Sequence, residues 1–178
     1  MISGVDYKMT PQSTFSMPIE AVATLPFPGM IAPGVFAFSP NDDFITFLYS
    51  PDHNLIRQLY RFEPKTKEYL PLLDVPEKEI SEEKLSIEEA LRRERQRQMN
   101  LGITHYEWAS RKNNILIPLA DGIYILNESG GSLHKIINNL PEPPLDPRFS
   151  PNGEWISFIR DAELFIVPSS GGQPPLPR

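Results

Sequence analysis

The sequence contains no cysteine. Disulfides, thiolate nucleophiles and thiolate metal sites are therefore excluded, and a reducing compartment is compatible. Histidine is scarce, with only His53, His105 and His134. No acid and nucleophile pattern accompanies any of them, so each reads as a surface or edge residue rather than a catalytic base. No run approaches the roughly 18 apolar residues that a membrane span needs. The opening "MISGVDYKMTPQSTF" lacks the basic stretch followed by an apolar stretch that marks a secretory signal. A soluble, intracellular protein without membrane partners is expected. Excess positive charge is also missing: 17 Lys and Arg stand against 23 Asp and Glu, a formal charge of -6. A general nucleic-acid binder normally carries a basic face, so nucleic acid is not an expected partner.

Twenty prolines and ten glycines punctuate short apolar runs, the pattern of many brief strands and few long helices. In "VFAFSPNDDFITFLYS", Phe36 and Phe38 alternate and a turn falls at Ser39-Pro40-Asn41-Asp42. Phe44, Thr46 and Leu48 then interleave with Ile45, Phe47 and Tyr49. The spacing predicts a hairpin whose second strand is buried on both faces. Phe149-Ser150-Pro151-Asn152 repeats Phe38-Ser39-Pro40-Asn41, with Gly153 supplying a positive-φ turn residue. A weaker copy lies between them: Trp108 takes the aromatic place, Asn113-Asn114 the turn, and Ile115 to Leu119 the second strand. Asp121-Gly122 before "IYIL" is then the counterpart of Asp161-Ala162 before "ELFIV".

Trp108 and Phe149 are 41 residues apart, and Phe38 and Trp108 are 70 apart. The larger gap falls to about 44 once a helical insertion of about 26 residues is removed, and a period of roughly 40 to 45 residues is that of a propeller blade. The expected fold class is all-β: a partial β-propeller of about three four-stranded antiparallel blades with one inserted charged helix. Three units are too few to close a ring, so the chain reads as part of a larger propeller. The aromatics Trp108, Trp155, Phe38, Phe149, Phe158 and Phe165 recur along the units and are expected in the core between blades.

The expected organisation is an irregular leader over 1–34, the partial propeller over 35–172 with its insertion at about 79–101, and a proline-rich tail over 173–178. Within the insertion, Ser86 and Glu89 have capping-box spacing and predict a helix from about Ile87 to Met99, ended by Gly102. Glu88 and Glu89 lie in its first turn and Arg92, Arg93, Arg95 and Arg97 in its later turns, matching the helix dipole at both ends. Glu88 with Arg92 and Glu89 with Arg93 are favourable pairs four residues apart. By these residues alone, the cluster is a solvated, salt-bridged helix.

The ordered series "FSPNDDFITFLYSPDHNLIRQLYRF", "EEALRRERQRQMNLGITHYEW", "ILIPLADGIYIL" and "DPRFSPNGEWISFIRDAELFIV" resembles the N-terminal β-propeller of dipeptidyl peptidase IV-type serine peptidases of the prolyl oligopeptidase family. The resemblance covers roughly residues 30 to 172, and the Glu-Arg-rich helix followed by "GIT.YEW" is its most specific part. It implies an eight-bladed propeller capping an α/β-hydrolase domain that releases dipeptides from peptide N-termini, with preference for proline second. It also implies, as partners, the peptide's N-terminus, further blades and the hydrolase domain, with a homodimer of the intact enzyme. The implied location is the cytoplasm, with the bacterial periplasm as the alternative. No cofactor and no metal are implied.

The chain itself carries no G-x-S-x-G elbow, so no catalytic residue is assigned and the isolated chain is not expected to be an enzyme. Gly130-Gly131-Ser132-Leu133-His134 lacks the second glycine and reads as a hairpin loop. Glu82-Glu83 and Glu88-Glu89 read as helix N-terminal charges, not as the family's amine-binding glutamates. Aligned on "RERQR", the resemblance assigns substrate contact to Arg93, with Arg92 next. A guanidinium stays charged and donates two hydrogen bonds at once to a peptide carbonyl. The alternative is a non-catalytic propeller-type interaction scaffold, in which the helix is a docking element.

Overall fold

The computed structural model describes residues 17–52, 54–73, 101–119, 122–127, 132–137 and 144–172. Among the described residues are one short helix, α1 (Ile19–Ala23), and twelve strands: β1 (Gly34–Phe38), β2 (Ile45–Tyr49), β3 (Ile56–Glu63), β4 (Glu68–Leu73), β5 (Leu101–Gly102), β6 (Glu107–Trp108), β7 (Asn114–Leu119), β8 (Gly122–Asn127), β9 (Ser132–Lys135), β10 (Leu145–Phe149), β11 (Trp155–Arg160) and β12 (Glu163–Pro168). The first sheet runs β1-β2-β3-β4, with β5 added beside β3. The second runs β6-β7-β8-β9 and the third β10-β11-β12. Every pairing is antiparallel except that of β5 with β3. These sheets are successive blades of a partial β-propeller. The third has three described strands where the sequence predicts four, and α1 falls in the stretch read as leader.

The internal repeat is reproduced bond by bond. Phe38 pairs with Ile45, Trp108 with Ile115, and Phe149 with Ile156. In the first turn Ser39 N donates to Phe44 O at 3.0 Å, and in the third Ser150 N donates to Trp155 O at 2.9 Å. Each serine hydroxyl turns inward as well: Ser39 Oγ accepts from Phe44 N at 3.2 Å and Ser150 Oγ from Trp155 N at 3.0 Å. These local bonds are why Ser-Pro-Asn sets the turn. Asp42 and Gly153 occupy the same step at φ 56° and 69°. The bulge recurs too: β1 and β10 each slip register once, at Val35 (φ 55°) and Asp146 (φ 45°).

Alternation along the central sheet divides the core in two. Ile115, Ile117, Leu119, Tyr124 and Leu126 pack toward the first sheet, against Leu48 and Leu59. Leu116, Ile123 and Ile125 pack toward the third, against Ile156, Phe158, Phe165 and Val167. Burying each such side chain contributes about 1.5–3 kcal/mol, so the middle sheet, covered on both faces, anchors the stack.

Two expectations require correction. Trp108, Phe149, Phe158 and Phe165 lie in or against the two cores, but Phe38 and Trp155 are exposed. Phe38 lies on the face of the first sheet that has no preceding sheet, and Trp155 on the face of the third that has no following one. Gly122 is also not a turn residue: it belongs to β8 and pairs with Leu119. In the third sheet Arg160 and Glu163 pair as Leu119 and Gly122 do in the second, so Asp161 and Ala162 are both loop residues.

Candidate functional site

The insertion that carries the arginines leaves and rejoins the first sheet along one strand. Leu73, the last residue of β4, pairs with Leu59 of β3, and Leu101 of β5 pairs with Ile56. Both junctions lie at the end of the sheet where β3 begins. Residues 74–100, including Arg92, Arg93, Glu82-Glu83 and Glu88-Glu89, lie outside the described residues, as do His53 and the tail 173–178.

The return of the insertion is built by the "GIT.YEW" residues. Gly102, expected to end the helix, is in β5 at φ 78°; a Cβ there would press on the backbone of Arg57, so glycine alone fits. Ile103 N donates to Arg57 O at 2.9 Å, and the Ile103 side chain is fully buried between the first two sheets. The Tyr106 hydroxyl donates to the carbonyl of Val35 at 2.7 Å, pinning the left-handed bulge residue of β1. Burial pushes the Tyr106 phenol up to about 12, so it remains a neutral donor across the ordinary pH range. Trp108 Nε1 donates to Thr46 Oγ1 at 2.9 Å, and the Thr46 hydroxyl donates in turn to Ala37 O at 3.2 Å. The motif is thus the seam that docks the second blade on the first.

Arg57 belongs to the same rim. Its guanidinium donates to the carbonyl of Met30 at 3.2 Å, tying the segment before β1 to the strand that receives the insertion. Burial lowers its pKa, though an arginine stays charged at ordinary pH. Sequence reasoning singled out neither Arg57 nor Tyr106. The tyrosine could have been found from its place in the motif, whereas the arginine's bond to Met30 has no periodic signature.

At the opposite rim, a bay of about 280 Å³ is lined by Ser39, Asp43, Phe44, Arg61, Glu63 and Lys65, among others. Arg61 stacks over the Phe44 ring at 5.6 Å and pairs with Glu63 at 3.5 Å. No nucleophile–base pair lines it. Among the described residues, no group of three or more His, Asp or Glu could hold a metal ion. His105 is half-buried and His134 exposed. Ser132 opens β9 and pairs with Asn127, whereas Gly130 and Gly131 lie outside the described residues. No described helix is long and apolar enough to cross a membrane.

No family model matches the sequence. Over 145 residues the chain is 27% identical to Dipeptidyl peptidase 8 of Homo sapiens; the match takes in 71% of this chain and 16% of that protein. The chain thus spans about a sixth of the length of the curated relative it matches. Among solved structures it is similar to TolB from Acinetobacter baumannii, with a TM-score of 0.51 and 11% identity over 80% of this chain and 31% of that one. The latter likeness concerns the fold, that of a propeller.

Proposed function

We propose that the chain is a propeller segment of a dipeptidyl peptidase IV-like serine peptidase, in which it gates the substrate and contributes an arginine to the bound peptide. The observation that carries this reading is the similarity to human Dipeptidyl peptidase 8, which extends along most of the chain. In this reading residues 35–172 form the propeller portion, and the hydrolase domain and remaining blades supply the chemistry that releases N-terminal X-Pro or X-Ala dipeptides. The absence of cysteine suits the cytoplasm, the compartment this reading assigns. Arg93 donates to a carbonyl of the bound dipeptide, with Arg92 beside it. The rim between Leu73 and Leu101, from which the insertion departs, becomes the mouth of the substrate passage.

The test uses a full-length enzyme that contains this segment. Arg93→Ala is expected to lower kcat/KM by roughly 10- to 100-fold, the loss expected for a charged hydrogen bond made to the substrate. Arg97→Ala, four residues further on, is the control and should change it by less than about threefold, as for an exposed ion pair. Equal and small effects at both positions would leave the helix as a solvated element and favour the interaction-scaffold reading.

A further inference from the structure

Arg57 is held from two sides at the rim where the insertion leaves and returns. Just before it, Asn54 Oδ1 accepts from the Ser50 hydroxyl and from Ile56 N, each at 2.8 Å, which fixes the turn into β3. The Arg57 backbone then receives the root of the insertion: it pairs with Gly102, and its carbonyl accepts from Ile103 N at 2.9 Å. Its side chain runs the other way. It passes Gly34, where a Cβ would stand 3.9 Å from Nη1, and Nη2 donates to the carbonyl of Met30 at 3.2 Å. Two successive turns present that carbonyl, with Met30 N donating to Phe27 O at 3.0 Å and Ala32 N to Gly29 O at 3.2 Å. One residue thus joins two segments far apart in sequence, 27–34 before β1 and 101–103 after the insertion. The bond from the Tyr106 hydroxyl to Val35 O is a second tie just beside it, so the two sheets stay docked if the guanidinium is lost.

We infer that Arg57 is a positioning residue: holding the turns at Met30 with its side chain and the root of the insertion with its backbone, it sets both segments in one register at the rim. Neither core cluster includes Arg57. Its guanidinium adds no apolar packing between the sheets; what it fixes is where one backbone segment lies relative to another. The consequence for substrate rests on the peptidase reading, in which Arg93 on the insertion contacts the bound peptide. A displacement of about 1 Å at the root of such a contact is enough to cost up to about 100-fold, so losing the Arg57 bond weakens substrate binding without touching the reacting atoms.

The experiment uses a full-length enzyme that contains this segment and reads amide exchange without substrate and kinetics with it. In Arg57→Ala, the amides of Met30, Ala32 and Ile103 should exchange about 10-fold or more faster than in the parent, while those of β7 and β8 stay unchanged and report an intact stack. Should β7 and β8 loosen too, Arg57→Gln takes the place of the alanine variant. Faster exchange at Met30 and Ala32 alone would make the bond a local tie and overturn the inference. In the kinetics, KM should rise about 10-fold with kcat within about twofold. Arg57→Lys, which keeps the charge and a donor, should bring KM back to within about threefold of the parent. In an Arg93→Ala background, Arg57→Ala should add less than about twofold, because the contact it positions is gone. An undiminished effect in that background would mean that Arg57 acts apart from the insertion; an unchanged KM in Arg57→Ala, where Arg93→Ala is costly, would mean that it positions nothing. Either result overturns the inference. Linked exchange of the two segments, with no kinetic effect of Arg57→Ala or Arg93→Ala, would instead sink the substrate-contact reading and leave the link between the segments standing.

Discussion

Ala162 occupies the second position of the loop joining β11 to β12 at φ 61°, after Asp161 at φ 51°. Both positions of such a two-residue loop need left-handed backbone. Aspartate tolerates it, but alanine is strained there by about 1–2 kcal/mol. Ala162→Gly is therefore expected to raise the urea midpoint, by about 1 kcal/mol of stability once glycine's extra unfolded-state freedom is subtracted. A fall in the midpoint would mean that the loop does not hold this conformation. Glu107 presents the opposite kind of cost. It is half-buried in β6 and its Oε2 has no hydrogen-bond partner. Burial raises its pKa, while the Arg148 charge and the Phe149 amide pull the other way. Because the folded-state pKa lies above the unfolded value, the carboxyl adds stability at low pH, which is lost as pH rises through the folded pKa. Glu107→Gln should thus raise the denaturation midpoint at pH 7. The gain over the parent should shrink as pH falls below about 4.5, where the side chain is protonated in both states. A gain of equal size at both pH values would show that ionisation is not its cause.

Whether an element was legible in the sequence depended on how local its cause is. The turns at Ser39 and Ser150 were readable because a hydroxyl, a proline and a left-handed step act within five residues. The two-faced burial of β2 and β7 was readable from runs such as Ile115 to Leu119, which leave no polar face. β5 was not readable: two residues joined in parallel to β3 have no periodicity, and their cause is the close approach of Gly102 to Arg57. The exposure of Phe38 and Trp155 was equally hidden, because an aromatic at a repeated position is buried only where a neighbouring sheet exists. Of the candidate site, sequence fixed attention on Arg92 and Arg93, but the described residues show only the rim from which their segment springs. The "GIT.YEW" residues, noticed as a family mark, carry a plain physical role in joining two sheets.

For the molecule as a whole, the layering predicts an order of opening. Leu116, Ile117, Ile123 and Leu126 of the middle sheet are fully buried, whereas β4 lies at an edge with most of its residues exposed. Amides of β7 and β8 should exchange with solvent about 100-fold or more slowly than those of β4, since local opening tracks contact density. Uniform exchange across the three sheets, followed by mass spectrometry, would instead show that the stack opens as one unit. The placement of the insertion has a separate consequence. Its departure and return sit opposite Leu59 and Ile56, three positions apart on β3 and so roughly 10 Å at the rise of a strand. Doubling the length of a segment that bridges so short a gap adds only about 0.6 kcal/mol to the cost of closing it. The first blade therefore works as a socket, into which segments of different length and charge can be exchanged during divergence while Leu48, Leu59 and Ile103 keep the same core beneath them.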